Sequence, residues 1–285
     1  MSADLPLLAE TVAEVRAAVD AARANGRTVG FVPTMGALHE GHAALIRAAR
    51  GATGFVVVSV FVNPTQFGPA EDYEKYPRTL DADRRLAAAA GADLVFAPGV
   101  GEMYPPGATT FVEVGGLGDY LCGPARPGHF RGVCTVVLKL FNIVRPDVAV
   151  FGAKDGQQAR IIRRMVRDLN VPVEVRVEPT VREPDGLAMS SRNRYLSPAE
   201  RAVAPYIYWA LTAVRDRAAA GERDAARLEA GLREMLAAIP GARIDYASVV
   251  DDETLRPVGR LERPALAAVA VYLGTTRLID NITLP

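Results

Sequence analysis

Two of the three histidines in this 285-residue chain, His39 and His42, stand across Gly41 in the stretch Pro33-Thr-Met-Gly-Ala-Leu-His-Glu-Gly-His42. A histidine at a helix N-terminus can aim its ring nitrogens at an anion held by the free backbone amides there, which suits polyphosphate. A metal site is a rival reading, but only two histidines are near, no His-Glu-x-x-His spacing occurs and no cysteine is in range. A loop pair bonded to backbone carbonyls is the plainer alternative. Lysine is scarce, with only Lys75, Lys139 and Lys154 present. Lys154 follows a strand-like run, precedes a helix-like one and is trailed by Asp155, which puts an ammonium where a nucleotide phosphate would lie. The competing reading is a surface lysine paired with Asp155. Ser190, Ser191 and Arg192 form a hydroxyl and guanidinium cluster able to bind phosphate oxygens, or simply a helix cap. No Ser, His and acid spacing supports a covalent nucleophile, and no Gly-x-Gly-x-x-Gly follows the first strand.

These residues need elements to place them. Apolar residues at Val12, Val15 and Val19 predict a helix over Leu7 to Ala24 with Gly26 as its stop. Strands are predicted at Thr28 to Val32, Phe55 to Val62, Leu94 to Ala97, Val148 to Phe151 and Val173 to Val177. The second of these, almost unbroken in β-branched and aromatic residues, reads as a central parallel strand covered on both faces. Helices are predicted from Ala43, over Leu80 to Ala90, over Val133 to Val144, and from the Gly152 to Gln158 stretch to about Leu169. Residues 99–132 are rich in Gly and Pro, with one strand-like segment at Phe111 to Val114, and suit an active-site rim. The alternation implies an α/β fold: a Rossmann-like doubly wound parallel sheet whose ligands sit at the carboxyl ends of the strands where their order reverses. After about Thr180 the pattern changes to two helical segments, Ala199 to Ala219 and Arg223 to Ala238. Strand-like runs follow at Ile244 to Val250, Leu266 to Leu273 and Arg277 to Ile282. A smaller C-terminal α+β domain is expected over 181–285, forming a lid over a site carried by 1–180.

Composition bounds the function classes. Lys plus Arg and Asp plus Glu each total 33, so no net field draws the chain to nucleic acid or to an anionic membrane, and small ligands are the expected partners. Cys122 and Cys134 have no metal-ligand spacing and form no disulfide framework. The N-terminus carries acids and an Ala-rich pattern in place of a basic leader, and no apolar run approaches membrane-spanning length, so a cytoplasmic protein is expected.

Six stretches taken together resemble the pantothenate synthetase family, in order. They are Pro33 to His42, Asn63-Pro-Thr-Gln-Phe-Gly68, Tyr76-Pro-Arg-Thr79, Arg126-Pro-Gly-His-Phe-Arg-Gly132, Phe151-Gly-Ala-Lys-Asp-Gly-Gln-Gln158 and Met189-Ser-Ser-Arg-Asn193. The likeness covers essentially the whole chain. It implies a nucleotidyltransferase-type fold, a homodimer, and an ATP-dependent ligase that joins pantoate to β-alanine through pantoyl adenylate, with Mg²⁺ carried on ATP and no metal site of the protein's own. Carried over residue by residue, the resemblance assigns Met35, Gly36, Ala37, Leu38, His39, Glu40, Gly41 and His42 to ATP, with His42 the acid that assists departure of pyrophosphate and His39 beside it. Gly152, Ala153, Lys154, Asp155, Val181, Met189, Ser190, Ser191 and Arg192 complete the nucleotide site. His39, His42, Lys154, Ser190 and Arg192 are the catalytic set, and Gln66, Gln158 and Asn63 hold the acid substrate. Three positions depart from the family's pattern: Cys122 stands where Glu is common, and Ala153 and Gly156 replace a frequent Glu and an aromatic. The alternatives are another adenylyl-transferring enzyme of similar architecture and a nucleotide-binding module without turnover.

Overall fold

A computed structural model describes residues 5–69 and 71–285. Met1 to Asp4, the start of the stretch read as lacking a basic leader, lie outside the described residues. The chain divides into two compact units: the first is 1–114, 127–152 and 161–179, the second 115–126, 153–160 and 180–285.

The first unit holds strands β1 (Leu7–Ala9), β2 (Val29–Thr34), β3 (Phe55–Val60), β4 (Leu94–Phe96), β5 (Val148–Gly152) and β6 (Glu174–Glu178). Its helices are α1 (Val12–Ala24), α2 (Glu40–Ala52), α3 (Leu80–Ala90), the short α4 (Val100–Met103) and α5 (His129–Val144), and α6 (Gly156–Asp168) enters it at Ile161. The strands run parallel in the order β1-β4-β3-β2-β5-β6, the expected doubly wound sheet, and the order reverses between β2 and β5. All but the last residue of β3 are buried, as a strand covered on both faces must be. One covering layer packs Ile46 of α2 and Ala87 of α3 with Val32, Val58, Val95 and Val150 of the sheet.

In the first unit two elements differ in kind from the sequence reading. Leu7–Ala9 is extended and pairs with Leu94–Phe96, and the helix starts only at Val12, where Thr11 and Glu14 form a reciprocal capping box. A three-residue edge strand with two exposed side chains is fixed by its backbone pairing and leaves no periodicity to read. Phe111 to Val114 is not a strand; the Val112 amide donates to the Thr135 hydroxyl of α5 at 2.9 Å, so a side chain replaces the ladder.

The second unit contains α7 (Pro198–Val203), α8 (Tyr206–Ala219), α9 (Ala225–Ala237) and an antiparallel sheet of β7 (Ala242–Asp251), β8 (Ala265–Leu273) and β9 (Thr276–Leu284), ordered 7-8-9. The helix expected over Ala199 to Ala219 is interrupted at Ala204 and Pro205, where both residues keep right-handed helical angles but Pro205 has no amide to donate. Leu211 and Val214 of α8 and Leu228 and Leu232 of α9 bury against Val269 and Val271 of the central strand.

Two tests follow from α5. A Cβ at Gly132 would lie 2.3 Å from the Thr65 carbonyl oxygen, so Gly132→Ala should lower the unfolding free energy by about 1–3 kcal/mol, read by urea denaturation; an unchanged midpoint would contradict this close approach. Burial pushes the Cys134 thiol up to about 12. An unfolded thiol ionises near pH ~8.5, so above that pH the folded chain binds the extra proton and stability falls until the pH reaches about 12. Iodoacetamide at mildly alkaline pH should therefore modify Cys134 only after denaturation.

Candidate active site

The carboxyl ends of β2 and β5 flank the reversal, and the early end of their pairing has a chemical cause. Along β2 the even-numbered residues face β3, because Phe55 N donates to Thr28 O and Phe61 N to Thr34 O, while Asp147 N donates to Val29 O on the other side. Pro33 thus lacks an amide on the side toward β5. The β2–β3 ladder covers all six residues of β2, whereas the β2–β5 register holds only Gly30 and Phe31. Beyond Phe31 the β2–β5 pairing ends, at the edge where a doubly wound sheet binds its ligands.

The loop leaving β2 starts at that edge, with Gly36 at φ +84° and Ala37 at φ +50°. His39 is the N-cap of α2: its Nδ1 accepts from Gly41 N at 3.1 Å, and His42 Nδ1 accepts from His39 N at 3.2 Å. Two histidines therefore form the reciprocal cap usually built from Ser or Thr with Glu, their ring centroids 4.2 Å apart. With both Nδ1 atoms accepting, the neutral rings carry their protons on Nε2. The sequence reading gave the anion to the amides of the helix start. In the structure Gly41 N is bonded to His39 and His42 N to the His39 carbonyl, so these two amides are used within the cap and the imidazole Nε2–H groups add donors to the turn.

A second cluster in the same unit surrounds Asn63, which is 1% exposed. Its Nδ2 donates to Gln66 Oε1 and to the Gly132 carbonyl, and its Oδ1 accepts from the Tyr104 hydroxyl at 2.8 Å and the Thr65 hydroxyl at 3.0 Å. Asn63 thus fixes Gln66 Oε1, and Gln66 Nε2 lies 3.2 Å from Met35 Sδ. His129, buried on α5, bonds the Gln66 carbonyl through Nδ1 at 2.8 Å. The sequence gives Tyr104 no role and places His129 only within the Arg126 to Gly132 motif, since neither stands at a recognisable spacing from Gln66; burial raises the Tyr104 hydroxyl above the usual phenol range.

In the second unit, Ala153–Asp155 form a 3-10 turn directly after Gly152, and Ser191–Tyr195 form another. Both pack against β9. Asn281 of β9 donates through Nδ2 to the carbonyls of Ala153 at 3.0 Å and Lys154 at 2.8 Å. A Cβ on Gly156 would sit 2.9 Å from Asn281 Oδ1, so the missing aromatic leaves this carboxamide its room. The neighbouring Asp280 binds Arg182 at 2.6 and 3.0 Å, and Arg182 lies 3.6 Å over the Tyr208 ring. The 181–189 hairpin, closed by Met189 N to Val181 O, brings Val181 beside Met189. Ser190 Oγ accepts from Arg192 N at 3.2 Å as the cap of its turn, and the hydroxyl keeps its own proton to donate.

The tandem glutamines are unequal. Gln157 is buried and holds the 115–126 loop through Nε2 to the carbonyls of Leu117 and Tyr120 and Oε1 from Cys122 N, while Gln158 is half-buried. Cys122 Sγ stands 3.9 Å from the Arg277 guanidinium, which is paired with Asp245 at 2.8 Å. Among the described residues no group of three or more His, Cys, Asp or Glu side chains is placed to hold a metal ion, and no helix is long and apolar enough to cross a membrane.

The parallel sheet with its reversal and the smaller antiparallel unit define an α/β protein of the Rossmann-like, nucleotidyltransferase type. Comparison with known proteins is more specific. The family model for pantoate-beta-alanine ligase matches residues 7–283. Pantothenate synthetase of Moorella thermoacetica is 56% identical over 277 residues, covering 97% of this chain and 98% of the relative; that of Thermotoga petrophila is 54% identical over 275 residues, covering 96% and 98%. The crystal structure of pantothenate synthetase from Thermus thermophilus superposes with a TM-score of 0.91 at 52% identity, covering 97% of this chain and 98% of that one. Pantoate-beta-alanine ligase from Francisella tularensis, complexed with beta-gamma ATP and beta-alanine, gives 0.79 at 33% identity, covering 97% of each. The chain belongs to the pantoate-beta-alanine ligase family.

Gln157→Leu removes three hydrogen bonds from the 115–126 loop. Chymotryptic cleavage after Tyr120 should accelerate roughly ten- to a hundred-fold through local opening, and wild-type cleavage kinetics would show that the loop is held by other means.

Proposed function

We propose that the chain is an ATP-dependent ligase that condenses pantoate with β-alanine through pantoyl adenylate, releasing AMP and pyrophosphate. The observation that carries this reading is membership of the pantoate-beta-alanine ligase family over residues 7–283, with the histidine-capped helix at the sheet's reversal. The pantoate carboxylate attacks the α-phosphorus of MgATP, and the bond to pyrophosphate breaks. The β-alanine amine then attacks the acyl carbon of the adenylate, AMP leaves, and the amine gives up its proton. Neither step needs a nucleophile from the protein.

The 35–42 segment and the Gly152 to Asp155, Val181 and Met189 to Arg192 segments bind ATP in this reading. His39 and His42 hydrogen-bond the polyphosphate through Nε2–H, and His42 serves the departing pyrophosphate. It does so as a neutral donor, because a second proton on Nδ1 would collide with the His39 amide that this nitrogen accepts. Lys154, Ser190 and Arg192 add donors as charge develops on the leaving group. Gln66, oriented by Asn63, and Gln158 hold the substrate acid. Aligning two reactants lowers a barrier by about 7–11 kcal/mol, more than the roughly 10²–10⁴-fold of one acid, so positioning carries most of the catalysis. Magnesium enters with ATP as part of the substrate. The family resemblance also supports a homodimer, which light scattering tests, a monomer mass being the opposing result; consumption of ATP supports a cytoplasmic location.

Purified protein given MgATP, pantoate and β-alanine should release AMP only when both acids are present. AMP release without pantoate would favour a different adenylyl-transferring enzyme, and ATP binding without turnover a binding module. His42→Ala should lower adenylate formation by about 10²–10³-fold while costing only about 1 kcal/mol of stability as a lost cap. Collapse of folding together with activity would make His42 a structural residue.

A further inference from the structure

Asp83 belongs to none of the groups described above, yet its carboxylate lies against the loop that precedes the histidine cap. It is 2% exposed and stands on the first turns of α3. Its Oδ2 accepts from Ala37 N at 3.1 Å and its Oδ1 from Leu38 N at 2.7 Å, while the Thr79 hydroxyl donates toward both oxygens at 3.2 and 3.3 Å. The residues on either side are tied as well. Gly36 N donates to Thr34 Oγ1 at 3.1 Å, and His39 N donates to His42 Nδ1 at 3.2 Å.

Four consecutive amides, from Gly36 to His39, are thus turned into the protein. Gly36 takes its φ of +84° without strain, but φ +50° at the non-glycine Ala37 is a costly backbone that persists only where its surroundings over-determine it, and a bidentate buried carboxylate is such a surrounding. A Cβ on Gly36 would lie 3.1 Å from Asp83 Oδ2, which shows how closely the carboxylate underlies the turn. An asparagine at the site could accept from only one of the two amides and would oppose an N–H to the other. The negative charge is also informative. A loop that bound phosphate through the amides of Ala37 and Leu38 would have no use for a carboxylate behind them, so the charge fits a loop whose amides are spent on shape and whose imidazoles make the contact.

We propose that Asp83 is a positioning residue for ATP: it fixes the Gly36–Leu38 turn and thereby sets where the His39 and His42 rings present their Nε2–H groups. This rests on reading the 35–42 segment as part of the ATP site. The effect should fall mainly on ATP, because Gln66, the proposed pantoate ligand, is held by Asn63 and His129 and meets the loop segment only through Met35 Sδ.

Steady-state kinetics of Asp83→Asn, Thr79→Val, Thr79→Ser and His42→Ala test it, with folded fraction measured for each. Asp83→Asn should raise KM for ATP roughly 10- to 100-fold with a far smaller change, within about 2-fold, in KM for pantoate. Thr79→Val, which leaves the carboxylate in place but removes its third donor, should raise it by a smaller factor, about 2- to 5-fold, and Thr79→Ser, which keeps the hydroxyl, should restore the wild-type value. An Asp83→Asn enzyme with wild-type KM for ATP, or one in which both KM values rise together, overturns the proposal. If Asp83→Asn does not fold, the Thr79 pair decides: equal KM values for Thr79→Val and Thr79→Ser overturn it. If His42→Ala keeps wild-type ATP kinetics, the reading of the loop as an ATP site fails and the proposal goes with it; loss in His42→Ala beside wild-type Asp83→Asn overturns the positioning role alone.

Discussion

The first unit depends on a strand pair that stops early. β2 is hydrogen-bonded to β3 along its whole length and to β5 only at its beginning, because Pro33 offers no amide on the β5 side. A fully zipped β2–β5 pair would fill the place where strand order reverses. The missing donor leaves the carboxyl end of β2 free to turn into the 35–39 loop, and the same loop delivers His39 to the first turn of α2. One imino acid thereby connects covalent structure, sheet topology and site location.

The histidine cap shows how a local motif can be structural and chemical at once. Capping requires an acceptor for an amide of the first turn, and imidazole Nδ1 supplies it. Using Nδ1 in this way fixes the tautomer and leaves the proton on Nε2, where a phosphate oxygen can take the hydrogen bond. A serine and glutamate pair would cap as well but would present a carboxylate to an anion. The plainer alternative gives the two histidines backbone carbonyls as partners; their Nδ1 atoms accept from backbone amides instead.

In the second unit the supporting role falls to carboxamides. Asn281 reaches two carbonyls of the turn that carries Lys154, and Gln157 reaches three backbone groups of the 115–126 loop. Both tie irregular backbone where no ladder or helix can satisfy it. The departures at Gly156 and Cys122 fit this frame, since the first leaves space for Asn281 and the second leaves Arg277 to pair with Asp245.

The sequence by itself determined the fold class, the parallel strands with their order of appearance, the His-x-Gly-His loop and the family. Each is written in local patterns: hydrophobic period, strand-to-loop-to-helix spacing, and six short motifs. It did not determine the three-residue strand β1, the break at Pro205 within an apparently continuous helix, or the irregular course of Phe111 to Val114, because these are settled by a backbone partner, a missing amide and a distant hydroxyl. Nor did it show that Gln157 ties the 115–126 loop or that Asn63 donates to Gln66 Oε1. It also gave no sign of Asp83, 46 residues from the amide of Ala37. Those roles follow from which donors and acceptors meet in three dimensions, and hydrogen-bond partners far apart in the chain leave no spacing to read.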